Sequence, residues 1–332
     1  MSASAHLHTD HVRPAWFFHV MATITVVLWS FSYIHIIWLS RLVTPAQLVV
    51  LRFEFSALAL VGILLWRRPR LSTLKPRDWL LIIAIGLASG PVYHYVLAWG
   101  AAGGRIDAAL LGLIIATIPI YVGVLAWVFL GERPTLRRAA GLTLGVAGVA
   151  IVVLGRIDQQ HLARGAASTA STLIGPIAVT IAAIIAAMNT VMSRAARHTL
   201  GPVDLTAVTG LIALAVCFAM HPFAHMGEVL SMPWQGWWAA FYLGFIAIGL
   251  ANLSWYAAVS GLQAGSVAMY LFVPSVLSAL WAWLWQNNQI GWAYIAGSAL
   301  VLLGLLVGAS SSSRMAAASP EPDEAFEESV LT

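Results

Sequence analysis

Ten stretches of this 332-residue chain are long and apolar enough to cross a bilayer, and little sequence lies between them. They fall at residues 16–39, 45–66, 78–101, 107–130, 136–154, 171–193, 203–220, 236–260, 265–286 and 291–309. A hydrocarbon core about 30 Å thick needs roughly 20 apolar residues per helix. A segment inside lipid must satisfy its own backbone hydrogen bonds, so stretches of this length read as helices. The composition agrees, with 60% of residues hydrophobic and 9% charged, where a soluble domain carries about 25% charged residues. The expected fold class is an all-α polytopic membrane protein with the lipid bilayer as its solvent.

The remaining segments leave no room for a soluble catalytic domain. Residues 1–15 read as a solvated terminus in which His6, His8 and His11 need no metal. Residues 155–170 are rich in Gly, Ala and Ser and read as a loop. Residues 310–332 read as a disordered tail, polar and Pro-containing, holding Glu321, Asp323, Glu324, Glu327 and Glu328. Without that tail the membrane body is more basic than the net charge of +4 suggests. The single cysteine, Cys217, cannot form a disulfide within the chain and reads as packing.

Orientation follows from the basic residues, because cytoplasmic loops are rich in Lys and Arg. With the N-terminus inside, one side holds Arg13, Arg67, Arg68, Arg70, Lys75, Arg77, Arg133, Arg137, Arg138, Arg194, Arg197 and Arg314. The other side holds Arg41, Arg105, Arg156 and Arg164. Both termini are therefore expected in the cytoplasm and residues 155–170 outside, in a plasma (inner) membrane. The Trp residues at 234–238 and 281–285, with Trp292, read as interfacial belts.

An internal repeat is visible. Pro119 is followed by Gly141 and Gly148, and Pro274 by Gly297 and Gly304, with the same spacing to within one residue. The unit is five stretches, 16–154 and 171–309. An odd unit inverts its second copy in the membrane, as in secondary transporters whose site lies near the midplane between the halves. The turn Gly131-Glu132-Arg133 of the first copy is charged, whereas Gln286-Asn287-Asn288 of the second is not, as expected if that turn faces outward.

These residues carry a resemblance. The run from Ala108 through Pro119 to Leu130-Gly131-Glu132, Gly141 and Gly148 resembles part of an EamA domain, as does Pro45 with Leu51-Arg52-Phe53. The segment from Gly175 to Gly308, with Trp255-Tyr256-Ala257 and Pro274, resembles a second such domain. The resemblance implies the ten-helix branch of the drug/metabolite transporter superfamily, with an arginine often found at the Arg52 position. The chain departs from it where Asn287 or Asn288 replaces the second turn's glutamate.

Ionisable residues at bilayer depth are functional candidates, and few are present. Arg52 and Glu54 are two residues apart and point to different helix faces. Arg52 reads either as a clamp on backbone carbonyls or as a substrate contact. Glu54 reads either as half of a buried pair with a neighbouring His or Arg or as the first candidate for proton coupling, with His35 the second, because carboxyl and imidazole groups at this depth serve proton relays. The expected cavity residues are Trp29, Tyr33, Arg52, His94, Asn189, Asn252, Trp255, Tyr256 and Tyr270. Such aromatic and polar side chains must face the bundle interior and suit a small amphiphilic molecule. Pro91, Pro119 and Pro274 are expected to kink their helices.

No phosphate-binding glycine loop, zinc-protease motif or nucleophile elbow occurs. The one lysine, Lys75, lies in a loop, which excludes a retinal Schiff base in the membrane. The chain reads as a transporter, not an enzyme, without cofactor, bound metal or nucleic-acid partner, and monomeric because the fused repeat supplies both halves. The expected activity is export of small neutral, zwitterionic or aromatic solutes, such as amino acids or their derivatives. Phosphorylated or sugar-nucleotide solutes, or intramembrane catalysis, are the alternatives. Arg52 alone is a weak provision for phosphate.

Overall fold

A computed structural model of the chain describes residues 14–67, 69, 71, 74–131, 136–164, 169–196, 200–259, 262, 270, 273–286 and 291–317. Every regular element among them is helical. The first half contains α1 (Ala15–Leu39), α2 (Pro45–Arg67), α3 (Pro76–Leu87), α4 (Tyr93–Ala101), α5 (Ala108–Ile115), α6 (Ile118–Leu130) and α7 (Leu136–Arg164). The second contains α8 (Thr169–Ala195), α9 (Pro202–Met220), α10 (Trp234–Phe241), α11 (Ala251–Val259), α12 (Val273–Gln286) and α13 (Trp292–Ala317). Among the described residues seven helical spans are long and apolar enough to cross a membrane, and three shorter apolar helices accompany them. The all-helical membrane fold expected from the sequence is the one observed.

Two of the rods are continuous only through π-helical turns. Ala88–Val92 joins α3 to α4, and Tyr242–Leu250 joins α10 to α11. In the first, Pro91 lacks an N–H to donate and Gly90 leaves helical geometry at φ −90, ψ −106. Each half thus carries one wide turn in its third rod, a feature that elsewhere concentrates at functional sites. The fourth rod breaks differently: α5 ends at Ile115, and α6 begins with Pro119 in its first turn, where a missing N–H costs nothing. Asp107 caps α5 by accepting from the Leu110 N–H at 2.8 Å. Pro274 lies in the first turn of α12 as described.

The last helices of the two halves, α7 and α13, form a close seam. A Cβ on Gly148 would overlap the Gly297 carbonyl, and one on Gly297 would overlap the Gly148 carbonyl. A Cβ on Gly304 would meet the Gly141 carbonyl at 2.6 Å. Gly141 therefore faces Gly304 and Gly148 faces Gly297, an antiparallel register seven residues long. Small residues let backbones approach this closely where lipid supplies no hydrophobic drive to associate. The glycine pairs that mark the repeat in the sequence are the ones that join its two copies.

Three expectations need correction. Helix α7 continues to Arg164 and α8 begins at Thr169, so most of the expected loop at 155–170 is helical. Helix α13 runs to Ala317, which moves the start of the tail past residue 310. Trp281, expected in an interfacial belt, instead turns inward: its ring lies 4.3 Å from that of Phe31 and its Nε1 donates to Ser30 Oγ at 2.8 Å. Asn287, Asn288 and Glu132 lie outside the described residues.

Candidate functional site

A cavity of about 410 Å³ opens between the halves. The first half contributes Phe53 and Leu60 from α2, Ile85, Ser89 and Gly90 from the α3–α4 rod, and His94 from α4. Asn189, Ser193 and Arg194 come from α8, Thr206, Thr209 and Ala213 from α9, and Asn252 and Trp255 from α11. Along α9 the wall runs from Leu205 to Ala213, about 12 Å of helix. The Arg194 and Leu205 end lies where α8 ends and α9 begins, beside the basic connections. The blind end is closed by Phe53 and His94, whose rings meet edge to face at 5.4 Å.

Contacts also tie elements together at the opposite end of the bundle. Ser40 Oγ donates to the Ala101 carbonyl at 3.2 Å, joining the ends of α1 and α4. Gln47 Nε2 donates to Glu228 Oε2 at 3.4 Å and to the His225 carbonyl at 3.3 Å. Arg105 lies 4.7 Å over the Trp99 ring, a cation–π contact, and donates to the Trp99 carbonyl.

Glycines let both π turns pack closely. A Cβ on Gly90, in the cavity wall, would overlap the side chain of its neighbour Ala213. A Cβ on Gly244 would overlap the Arg52 carbonyl, and one on Gly249 the side chain of Ala59. The turns thus approach α9 and α2 at distances a larger residue would not permit.

The structure brings together four of the expected cavity residues, His94, Asn189, Asn252 and Trp255, on its wall. Trp29 stands behind Trp255 with ring centroids 5.3 Å apart, and its Nε1 donates to the Ala247 carbonyl. Arg52 is 7% exposed and lies behind the blind end, within electrostatic range of Tyr33, Tyr93 and His94. Tyr33 packs where a Cβ on Gly112 would meet its ring at 3.2 Å. Tyr270 lies elsewhere, against His19 at 3.1 Å. The side chain of Tyr256 is outside the described residues.

The two coupling candidates are not on the cavity wall. His35 sits in a stack, its ring 4.3 Å from Tyr242 at an 8° angle, with Nδ1 bonded to the Phe31 carbonyl. Glu54 Oε1 pairs with His221 Nε2 at 3.4 Å, with the two side chains 29% and 48% exposed. That partner, far along the chain at the end of α9, gave no local signal in the sequence. Among the described residues no three His, Cys, Asp or Glu side chains gather as a metal site would require. Sequence reasoning missed the α9 wall: Thr206, Thr209, Gly210 and Ala213 recur at helical spacing and form one small, polar-edged face.

Comparison with known proteins agrees with this architecture. A model of the EamA-like transporter family matches twice, at residues 16–154 and 173–309. An uncharacterized transporter of Archaeoglobus fulgidus is 25% identical over 292 residues, covering 87% of this chain and 97% of its own length. The uncharacterized transporter YoaV of Bacillus subtilis is 24% identical over 298 residues, covering 87% of this chain and 95% of its own. A probable terminal-alkyne amino-acid exporter of Streptantibioticus cattleyicolor is 24% identical over 241 residues, covering 73% and 75%. One solved crystal structure superimposes with a TM-score of 0.58 at 21% identity, covering 90% of this chain and 98% of its own, a likeness of fold.

Proposed function

The chain belongs to the EamA-like transporter family, a membrane transporter of small solutes, and on that premise we propose that the cavity between its halves is the solute path of an exporter. The observation that carries this reading is a cavity walled by both repeats. Placing the basic connections in the cytoplasm puts the Arg194–Leu205 end of that cavity on the inner side. Alternating access then requires the halves to rock about a fixed contact, closing the Arg194–Leu205 end and parting contacts between the halves at the other, such as Gln47 with Glu228.

The proposed solutes are small neutral, zwitterionic or aromatic molecules, amino acids or their derivatives among them. A volume of about 410 Å³ lies within the roughly 300–1,000 Å³ of small-molecule sites. Aromatic faces at Trp255 and Phe53 supply apolar contact, and amides and hydroxyls supply orientation. Phosphorylated solutes fit less well, since Arg194 at the mouth is the one arginine or lysine on the described wall. Proton exchange at Glu54 would occur on the α2–α9 seam with His221 as partner, beside the cavity and not within it.

Proteoliposomes of the purified full chain test the reading. A panel of labelled amino acids and small amphiphiles is offered with and without an imposed pH gradient. Saturable uptake of at least one panel member is the expected result. No uptake above protein-free liposomes across the panel contradicts the proposal. Gradient-driven uptake that Glu54→Gln reduces to the gradient-free level assigns coupling to that pair.

A further inference from the structure

We propose that Arg52, His94 and Asn189 form an electrostatic subsite at the blind end of the cavity that takes the carboxylate and amino nitrogen of one dipolar solute. The inference rests on the transporter reading above and names the ligand chemistry of that site.

Three polar side-chain atoms here are buried without a hydrogen-bond partner: Arg52 Nε, His94 Nδ1 and Asn189 Oδ1. His94 on α4 and Asn189 on α8 line the cavity, so a ligand bonded to both touches both halves. Leaving such groups unmade costs roughly 1–3 kcal/mol each, a cost that a bound solute removes at His94 and Asn189. Their chemistry is complementary to a dipole. Arg52 Nε is a donor only, and Asn189 Oδ1 is an acceptor only. His94 can donate from Nδ1 toward a carboxylate.

The charge balance points the same way. Arg52 is 7% exposed and neighbours Tyr33, Tyr93 and His94. No carboxylate lines the cavity among the described residues. Glu54, two residues from Arg52, is turned toward His221. The arginine's positive charge thus reaches the cavity floor without a counterion, through an interior where such fields are weakly screened. Phe53 and His94 line the open space and Arg52 does not. Arg52 accordingly supplies charge, while His94 and Asn189 supply the hydrogen bonds, the latter to an ammonium or amide N–H. Trp255 on the facing wall receives the apolar remainder of the solute.

The test compares four probes that share one apolar body: phenylalanine, its methyl ester, phenethylamine and 3-phenylpropionate. Binding to the purified full chain is measured by equilibrium dialysis, and transport of the same probes in proteoliposomes. The two acids are expected to bind at least tenfold more tightly than the ester and the amine. Arg52→Gln is expected to erase that preference, whereas Arg52→Lys, which keeps the charge, retains most of it. Asn189→Ala is expected to weaken phenylalanine by at least threefold while leaving 3-phenylpropionate unchanged. Should Arg52→Gln fail to fold, the wild-type preference and His94→Ala decide, the latter expected to halve or abolish it. Equal affinity for acid and ester in the wild type overturns the subsite, as does an acid preference that survives Arg52→Gln. Transport of all four probes alike overturns the subsite and leaves the transporter reading standing. Acid-selective binding without transport of any probe sustains the subsite and counts against export of these solutes.

Discussion

Two of the places where the halves of this protein meet are packed very differently. At the α7–α13 seam, Gly148 and Gly297 are held so close that neither tolerates a Cβ. Between α4, α8, α9 and α11, the halves part around a cavity of about 410 Å³. Glycine serves opposite ends in the two places. On the seam it removes side chains so that backbones touch. At Gly90 it lets a widened turn approach Ala213 while the wall beyond stays open. A close contact and a hollow one between the same halves are what the proposed rocking would use: one joint kept and one that changes.

The seam should therefore be intolerant of added volume, and the cavity wall tolerant of side-chain change where it borders open space. Gly148→Leu is expected to destabilise by about 3 kcal/mol, the upper range for overpacking, seen as a lower melting temperature or loss of monodisperse protein in detergent. Ser193→Ala, on the cavity wall, should change stability by no more than about 0.5 kcal/mol. Comparable losses for the two variants would break the contrast.

Gly90→Ala comes next. Its added methyl would overlap Ala213, so α4 or α9 must shift, at about 1–2 kcal/mol. Restoration by Ala213→Gly in the double variant would tie the effect to that one approach. Trp255→Ala should slow transport about tenfold, equivalent to roughly 1.4 kcal/mol of lost contact, with the melting temperature little changed. A matching loss of stability would make Trp255 a packing residue only. The smallest effect is expected at Glu54→Gln, which removes a part-exposed pair worth less than about 1 kcal/mol. A melt of the full chain checks this, and a larger loss would make the α2–α9 contact a structural joint like the seam.

Much of this was legible because lipid narrows the choices. Apolar length announced the helices, and the spacing of Gly141, Gly148, Gly297 and Gly304 announced the repeat. The break at Gly90-Pro91 was legible too, since proline and glycine act through local geometry. What the sequence hid was long-range or polar. The pairing of Glu54 with His221 joins residues far apart in the chain, and no local pattern encodes it. Helix α7 beyond residue 154 was hidden because hydropathy marks only the part of a helix that lies in lipid. Ala, Gln and Leu continue the helix past that boundary by propensity. The second π turn, Tyr242–Leu250, contains no proline, and its glycines pack closely on α2, Gly244 at the Arg52 carbonyl and Gly249 at Ala59. The site was half legible: aromatic and amide residues at helical spacing led to His94, Asn189, Asn252 and Trp255. The same spacing drew in Tyr270, which lies against His19 instead.

The central claim is that solute passes through the cavity, and blocking it chemically tests that most directly. Ser193→Cys, made in a Cys217→Ala background so that it is the only thiol, is reacted with a bulky thiol reagent in proteoliposomes, and transport of the best-carried panel solute is then measured. The expected result is labelling that solute slows and transport that labelling abolishes. Full labelling of Cys at position 193 with transport unchanged would contradict the account.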